Sequence, residues 1–175
     1  MRSSGRLHLE LLVAAGRLPD VLSEPRLDVR PARQHQLRIH LREHRQDLHW
    51  FLRQLEAALI GALGQLGIEA ERNEGYTGVW TSGRKIASIG IHVKQWVTWH
   101  GFALNVTTDL SFFDLIVPCG IPGVVMTSVR RELGERAPRD LWARTIDQVV
   151  LGFAETFGQS AQAGSLEDLP DTSSH

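Results

Sequence analysis

The one cysteine of the chain, Cys119, lies in "LIVPCGIPG" (115–123). Cysteine is among the most buried residue types, so an inert core thiol is the ordinary reading of such a residue. The flanks point elsewhere. Pro118 has no amide hydrogen to give a strand ladder and Gly120 accepts unusual backbone angles, so "PCG" reads as a turn. A thiol on a turn can face a cleft and receive backbone N–H groups. It becomes a nucleophile when a neighbouring cation or base favours the thiolate. "SGRKIASIG" (82–90) offers a cation, Lys85, at the opening of a strand after a glycine turn, with small residues beyond it where a ligand can approach closely. Read on its own, Lys85 is more simply an exposed strand-end charge. "WHGFALNV" (99–106) offers His100, either the base of a Cys/His pair or a structural histidine. "HLREH" (40–44) matches a zinc-peptidase pattern of two helical histidines with a glutamate base. Eight histidines in the chain make a five-residue match cheap, and no second helix supplies an acidic third ligand, so no metal site is expected. No P-loop or G-x-G-x-x-G run is present to hold a nucleotide, and no cofactor is expected.

These residues need elements to hold them. In "DLHWFLRQLEAALIGALGQLG" (47–67), Leu48, Phe51, Leu52, Leu55, Leu59, Ala62, Leu63 and Leu66 recur at helical spacing, and Gly67 supplies a stop. "TGVWT" (77–81) passes through a turn into "KIASIGIHV" (85–93), and "WVTWHGFALNVTTDL" (96–110) is rich in Val, Thr, Trp and Phe. These predict two or three antiparallel strands joined by tight turns. "IPGVVMTSV" (121–129) reads as a further strand or a strand-to-loop passage. A second amphipathic helix is predicted over 138–158, with Pro138 in its first turn, Gly158 at its end and a stripe of Leu141, Trp142, Ile146, Val149, Val150, Phe153 and Phe157. Residues 1–40 carry seven arginines, three prolines and no sustained period, and read as irregular. The tail 159–175 is polar and reads as disordered. The order helix, strands, helix predicts an α+β domain over 41–158, a mainly antiparallel sheet flanked by helices.

Bulk properties narrow the partners. At 175 residues the chain has room for one ordinary core, with 42% hydrophobic and 22% charged residues. A net charge of −1 gives no global field that would attract nucleic acid or an anionic membrane. No apolar run approaches the roughly 20 residues of a membrane span, and "LHLELLVAAG" (7–16) is interrupted by Glu10 and is not read as a signal peptide. One cysteine makes no internal disulfide, which fits a reducing compartment, and the expected location is the cytoplasm. The 19 basic residues are 17 arginines and two lysines, Lys85 and Lys94. In so Arg-biased a chain, a retained lysine can mark a position where a titrating amine is needed, which Arg cannot supply.

Taken together, "GVW-x4-KIASIGI" (78–91), "WVTWHGFALNV-x2-DLSFF" (96–113) and "IVPCGI" (116–121) resemble the lipoyl(octanoyl) transferases in order and spacing, as do "LREHRQDLHWFLRQLE" (41–56) and the final helix. The resemblance implies the catalytic-domain fold shared with biotin and lipoate protein ligases. It implies an acyltransferase that takes an octanoyl group from acyl carrier protein onto the PCG cysteine, here Cys119. The group then passes to a lysine of lipoyl domains, such as glycine cleavage protein H or 2-oxo acid dehydrogenase E2 subunits. The family's motif lysine maps onto Lys85, and the acyl-contacting backbone onto Ser88, Ile89, Gly90, Gly101, Phe102 and Ala103. The chemistry agrees: an ammonium beside Cys119 favours its thiolate, and thioester exchange needs no ATP. The attacking amine must shed a proton, and a desolvated amine such as Lys85 can take it.

One family stretch, close to R-G-G-x-V-T-Y-H-G-P-G-Q, has no counterpart near residues 20–35, which read "DVLSEPRLDVRPARQH". The abrupt change near Leu41 suggests a shifted reading frame or a wrongly assigned start, and leaves the domain's N-terminal part incomplete. An inactive remnant of the same family is therefore the competing reading. A third, an ATP-dependent ligase relative, is disfavoured by "PCG", because a ligase activates its acid as an adenylate and needs no thiol.

Overall fold

A computed structural model describes residues 34–36 and 41–158, without the side chains of Gln34, His35, Gln36, Glu43, Trp99, His100 and Cys119. Five antiparallel strands form one sheet: β1 (Gln34–Gln36), β2 (Glu71–Asn73), β3 (Tyr76–Thr81), β4 (Arg84–Lys94) and β5 (Val97–Leu104), in the order β1-β5-β4-β3-β2. Two long helices cover it, α1 (Leu48–Gln65) and α3 (Leu141–Phe157), with a short α2 (Val129–Leu133) between β5 and α3.

Each helix obeys its sequence signals. Asp47 caps α1 by accepting from the Trp50 amide at 3.0 Å, and that hydrogen bond holds its carboxyl below the ordinary range. Phe51, Leu55, Ala58, Leu59, Ala62 and Leu63 form the buried stripe, and the chain turns off at Gly67, whose φ is +79°. Helix α3 buries Leu141, Thr145, Val149 and Phe153 and ends at Gly158, φ +63°. The two helices cross closely: a Cβ on Gly152 would lie 2.6 Å from the Ala58 carbonyl oxygen. Both pack onto Val79, Ile86, Ala87, Phe102 and Leu104 of the sheet, with the Phe102 and Phe153 rings stacked at 5.4 Å.

Three expectations change. The strand predicted over 96–110 stops at Leu104, and Leu110–Leu115 is a 3-10 segment started by Asp109. The reason is competition for one edge. The Asn105 amide makes a last bond to the Ile86 carbonyl, and beyond it the same side of β4 is taken by residues 125–127. That segment is a single parallel bridge, Lys85 to Met126, and not a full strand. Its end, read as strand or loop, winds into α2 because Ser128 caps the turn by accepting from the Arg131 amide. Finally, α3 begins at Leu141, whose amide bonds to the Pro138 carbonyl, so Pro138 lies before the helix. Within the segment read as irregular, Gln34–Gln36 pair with β5. The expectations for 1–33 and for the tail 159–175 lie outside the described residues.

Candidate active site

β3 and β4 are joined by Ser82 and Gly83, both at positive φ (47° and 75°), between the paired Thr81 and Arg84. Two left-handed residues match the twist of a tight hairpin, and Lys85 follows at once. The β3–β4 register then slips: Trp80 pairs with Lys85 and Val79 with Ala87, leaving Ile86 as the extra residue of a bulge. A bulge re-aims the side chains around it. Ile86 and Ala87 both join the apolar cluster beneath α1 and α3, while Lys85 goes with Trp80, outside that cluster and on the sheet face of Ser88 and Gly90. Lys85 is 1% exposed. Its Nζ donates to the Thr77 carbonyl at 3.1 Å and stands 5.5 Å from the centre of the Trp80 ring.

The expected acyl-contacting residues come together in register. Ser88 faces Ala103, Ile89 faces Phe102 and Gly90 faces Gly101 across the β4–β5 ladder. They form one continuous stretch of sheet that starts three residues beyond Lys85.

Pro118–Gly120 forms a 3-10 turn closed by bonds from Gly120 N to the Val117 carbonyl and from Ile121 N to the Pro118 carbonyl, both 3.1 Å. Gly120 adopts φ +67° and Pro118 is buried. The expectation of a turn at "PCG" is met; the Cys119 side chain, and with it the expected 4–6 Å approach to Lys85, lies outside the described residues. The turn belongs to the excursion that leaves β5 after Leu104 and returns at Val125. Its return arm is bonded to the lysine itself: Lys85 N to Val125 O and Thr127 N to Lys85 O, both 2.9 Å. Leu115, Ile116, Val117 and Val125, the apolar arms around the turn, are all exposed, Leu115 at 81%.

The return arm is pinned from both sides. Asn105 Nδ2 donates to the Thr127 carbonyl at 3.0 Å. Glu132 of α2 accepts from the Thr127 hydroxyl and, through both carboxylate oxygens, from Arg84 at 3.1 and 2.9 Å. Burial pushes the Glu132 carboxyl up, but the hydrogen bonds from Arg84 and Thr127 outweigh it and hold the group below its ordinary range. The same pairing raises Arg84.

The other candidates fare differently. His100 stands opposite Ile91 in the ladder, with its side chain outside the described residues. Of "HLREH", His40 lies outside the described residues; Leu41–Glu43 is a 3-10 turn, and the His44 ring packs edge-on against Phe157 at 6.1 Å. Sequence reasoning missed Glu56, Gly78, Asn105, Thr127 and Glu132. A usable signal existed for Glu56, an acidic residue inside the apolar stripe of Leu52, Leu55 and Leu59.

Residues 33–157 match the family model described as the lipoyl protein ligase A/B catalytic domain. The chain belongs to that family. The chain is 50% identical over 131 residues to an octanoyltransferase of Synechococcus elongatus, covering 75% of this chain and 54% of that protein. It is 47% identical over 124 residues to one of Gloeobacter violaceus, covering 71% and 54%. It thus spans about half the length of the curated relatives it matches. The fold is similar to a lipoate-protein ligase A solved with ATP (TM-score 0.59, 16% identity, 77% of this chain and 55% of that one). It is also similar to the biotin protein ligase of Aquifex aeolicus (TM-score 0.53, 15% identity, 71% and 51%). The family therefore extends to residue 33, eight residues before the point where the sequence motifs begin, and takes in β1.

Proposed function

We propose that this chain carries the catalytic centre of an octanoyltransferase that moves an octanoyl or lipoyl group from acyl carrier protein to a lysine of a lipoyl domain through a thioester on Cys119. The observation that carries the reading is Lys85. A lysine almost wholly removed from water, bonded through its own backbone to the return arm of the PCG loop, is costly to keep for structure alone. A cation or amine required beside that loop accounts for it.

In the first step the Cys119 thiolate attacks the carbonyl carbon of the carrier-bound thioester. A new S–C bond forms, the S–C bond to the carrier breaks, and the departing carrier thiolate takes the proton of the Lys85 ammonium, which leaves Lys85 as a neutral amine for the second step. In the second step the neutral amine of the acceptor lysine attacks the Cys119 thioester. An amide bond forms, the Cys119 sulfur leaves as thiolate, and the amine's proton passes to Lys85. The Ser88–Gly90 and Gly101–Ala103 ladder supplies a smooth wall along which the acyl chain lies, since Gly90 and Gly101 carry no side chain to obstruct it. The acceptor is a lipoyl domain of glycine cleavage protein H or of a 2-oxo acid dehydrogenase E2 subunit, and the reaction takes place in the cytoplasm.

Single-turnover transfer separates the two steps. Lys85→Arg keeps the charge but cannot readily accept a proton. Loading of Cys119 from octanoyl-acyl carrier protein should therefore be slowed less than delivery to the lipoyl domain, where a positioned general base is typically worth about 10²–10⁴-fold. Equal delivery rates for wild type and Lys85→Arg would remove the proton-acceptor role.

A further inference from the structure

We infer that Glu56 of α1 is a positioning residue for Lys85, acting through the single peptide bond between Thr77 and Gly78. The inference rests on the role given to Lys85 above. The carbonyl of that peptide, Thr77 O, accepts from Lys85 Nζ at 3.1 Å. Its N–H, on Gly78, donates to Glu56 Oε1 at 3.2 Å. A planar trans peptide points its two polar groups in opposite directions. The carboxylate and the ammonium thus hold the two ends of one dipole, and each favours the orientation that serves the other. Hydrogen bonds with an ionised partner are about twice as strong as neutral ones, and bonds in a chain polarise one another.

The carboxylate is itself fixed. Glu56 is fully buried, and its other oxygen accepts from Arg53 at 2.6 Å and from Arg72 at 3.0 Å. Arg72 also donates to the Arg53 carbonyl, which ties β2 to α1. Nothing in the surrounding helix stripe calls for an acid, and burying one costs more than the leucine its neighbours would predict. The peptide is fitted as closely on its other side. Gly78 has φ +136°, and a Cβ there would lie 2.8 Å from Lys85 Cε and 2.7 Å from the Ala87 carbonyl oxygen. The lysine stem therefore runs directly over the glycine, and any tilt of the peptide moves the amine.

Two lysines in the chain make the test direct. Protein made with ¹³C,¹⁵N-lysine gives two sets of side-chain signals, and Lys85→Arg assigns them. In Glu56→Gln the amide has one acceptor oxygen and cannot serve both the two arginines and the Gly78 N–H on the opposite side, so the Thr77–Gly78 peptide loses its charged partner. The Lys85 Cε and Nζ signals should move while those of Lys94 stay. Delivery of the octanoyl group to a lipoyl domain should slow at least about tenfold, the size expected for loss of a hydrogen bond to a charged group, with loading of Cys119 slowed less. Glu56→Asp, one methylene shorter, keeps the charge and should fall between, and it serves if Glu56→Gln does not fold. Unmoved Lys85 signals in either folded variant would overturn the inference. The signals need no acyl transfer. A wild-type chain that transfers nothing, yet shows the Lys85 shift on substitution, would refute octanoyl transfer and support the positioning role.

Discussion

At the scale of single residues, Lys85 and the hydrogen bonds that pin the return arm beside it define the geometry of the candidate site. Cys119 stood out through its Pro and Gly neighbours, and Lys85 through its rarity beside 17 arginines. What hid the rest was the bulge at Ile86. Strict alternation along "KIASIGI" would set Lys85 on the face of Ala87 and Ile89; the extra residue puts it on the face of Ser88 instead. The Glu132 network was equally hidden, because Arg84 lies 48 residues from Glu132 in the chain. It makes a definite prediction. The folded-state carboxyl lies below its ordinary value near 4.3. The unfolded chain therefore binds the proton first as pH falls. The stabilisation is complete well above that value and is lost as pH drops through the lower folded one. Glu132→Gln should destabilise the protein at pH 7 and the difference from wild type should shrink towards pH 3, as read by urea unfolding at each pH. A difference that stays constant over that range would show that the charge on Glu132 contributes nothing.

Among elements, the helices were readable to within a few residues because their apolar period and their stops at Gly67 and Gly158 agree. The hairpins were harder. Lys94 and Val97 are joined by Gln95 and Trp96 at φ 53° and 66°, a left-handed pair without the glycine or asparagine that usually announces such a turn. Trp96 compensates by packing on the core and accepting from the Leu41 amide at 2.8 Å. The close crossing of α1 and α3 was also invisible, since Gly152 in a helix reads as a weakness. Its value is contact. Ala at a helix interior is favoured over Gly by about 1 kcal/mol, but here the new methyl meets the Ala58 carbonyl at 2.6 Å, and overpacking of that kind costs about 1–3 kcal/mol. Gly152→Ala should therefore lower stability in chemical denaturation, although propensity alone predicts a gain.

For the whole molecule, the sheet, whose fold resembles those of lipoate and biotin ligases, brings together the Lys85 strand, the Ser88–Gly90 and Gly101–Ala103 ladder and the return arm at residues 125–127. The α+β class followed from element order; the strand order did not. Where β5 and the 125–127 segment share one edge of β4, only tertiary hydrogen bonds decide which residue pairs with which. Whether Cys119 carries the acyl group is read by intact-protein mass spectrometry after incubation with octanoyl-acyl carrier protein. One octanoyl adduct is expected, removed by neutral hydroxylamine as a thioester should be, absent from Cys119→Ala, and lost when a lipoyl domain is added. An adduct that survives in Cys119→Ala, or none on the wild-type chain under conditions that label the Synechococcus elongatus octanoyltransferase, would show that Cys119 does not carry the group.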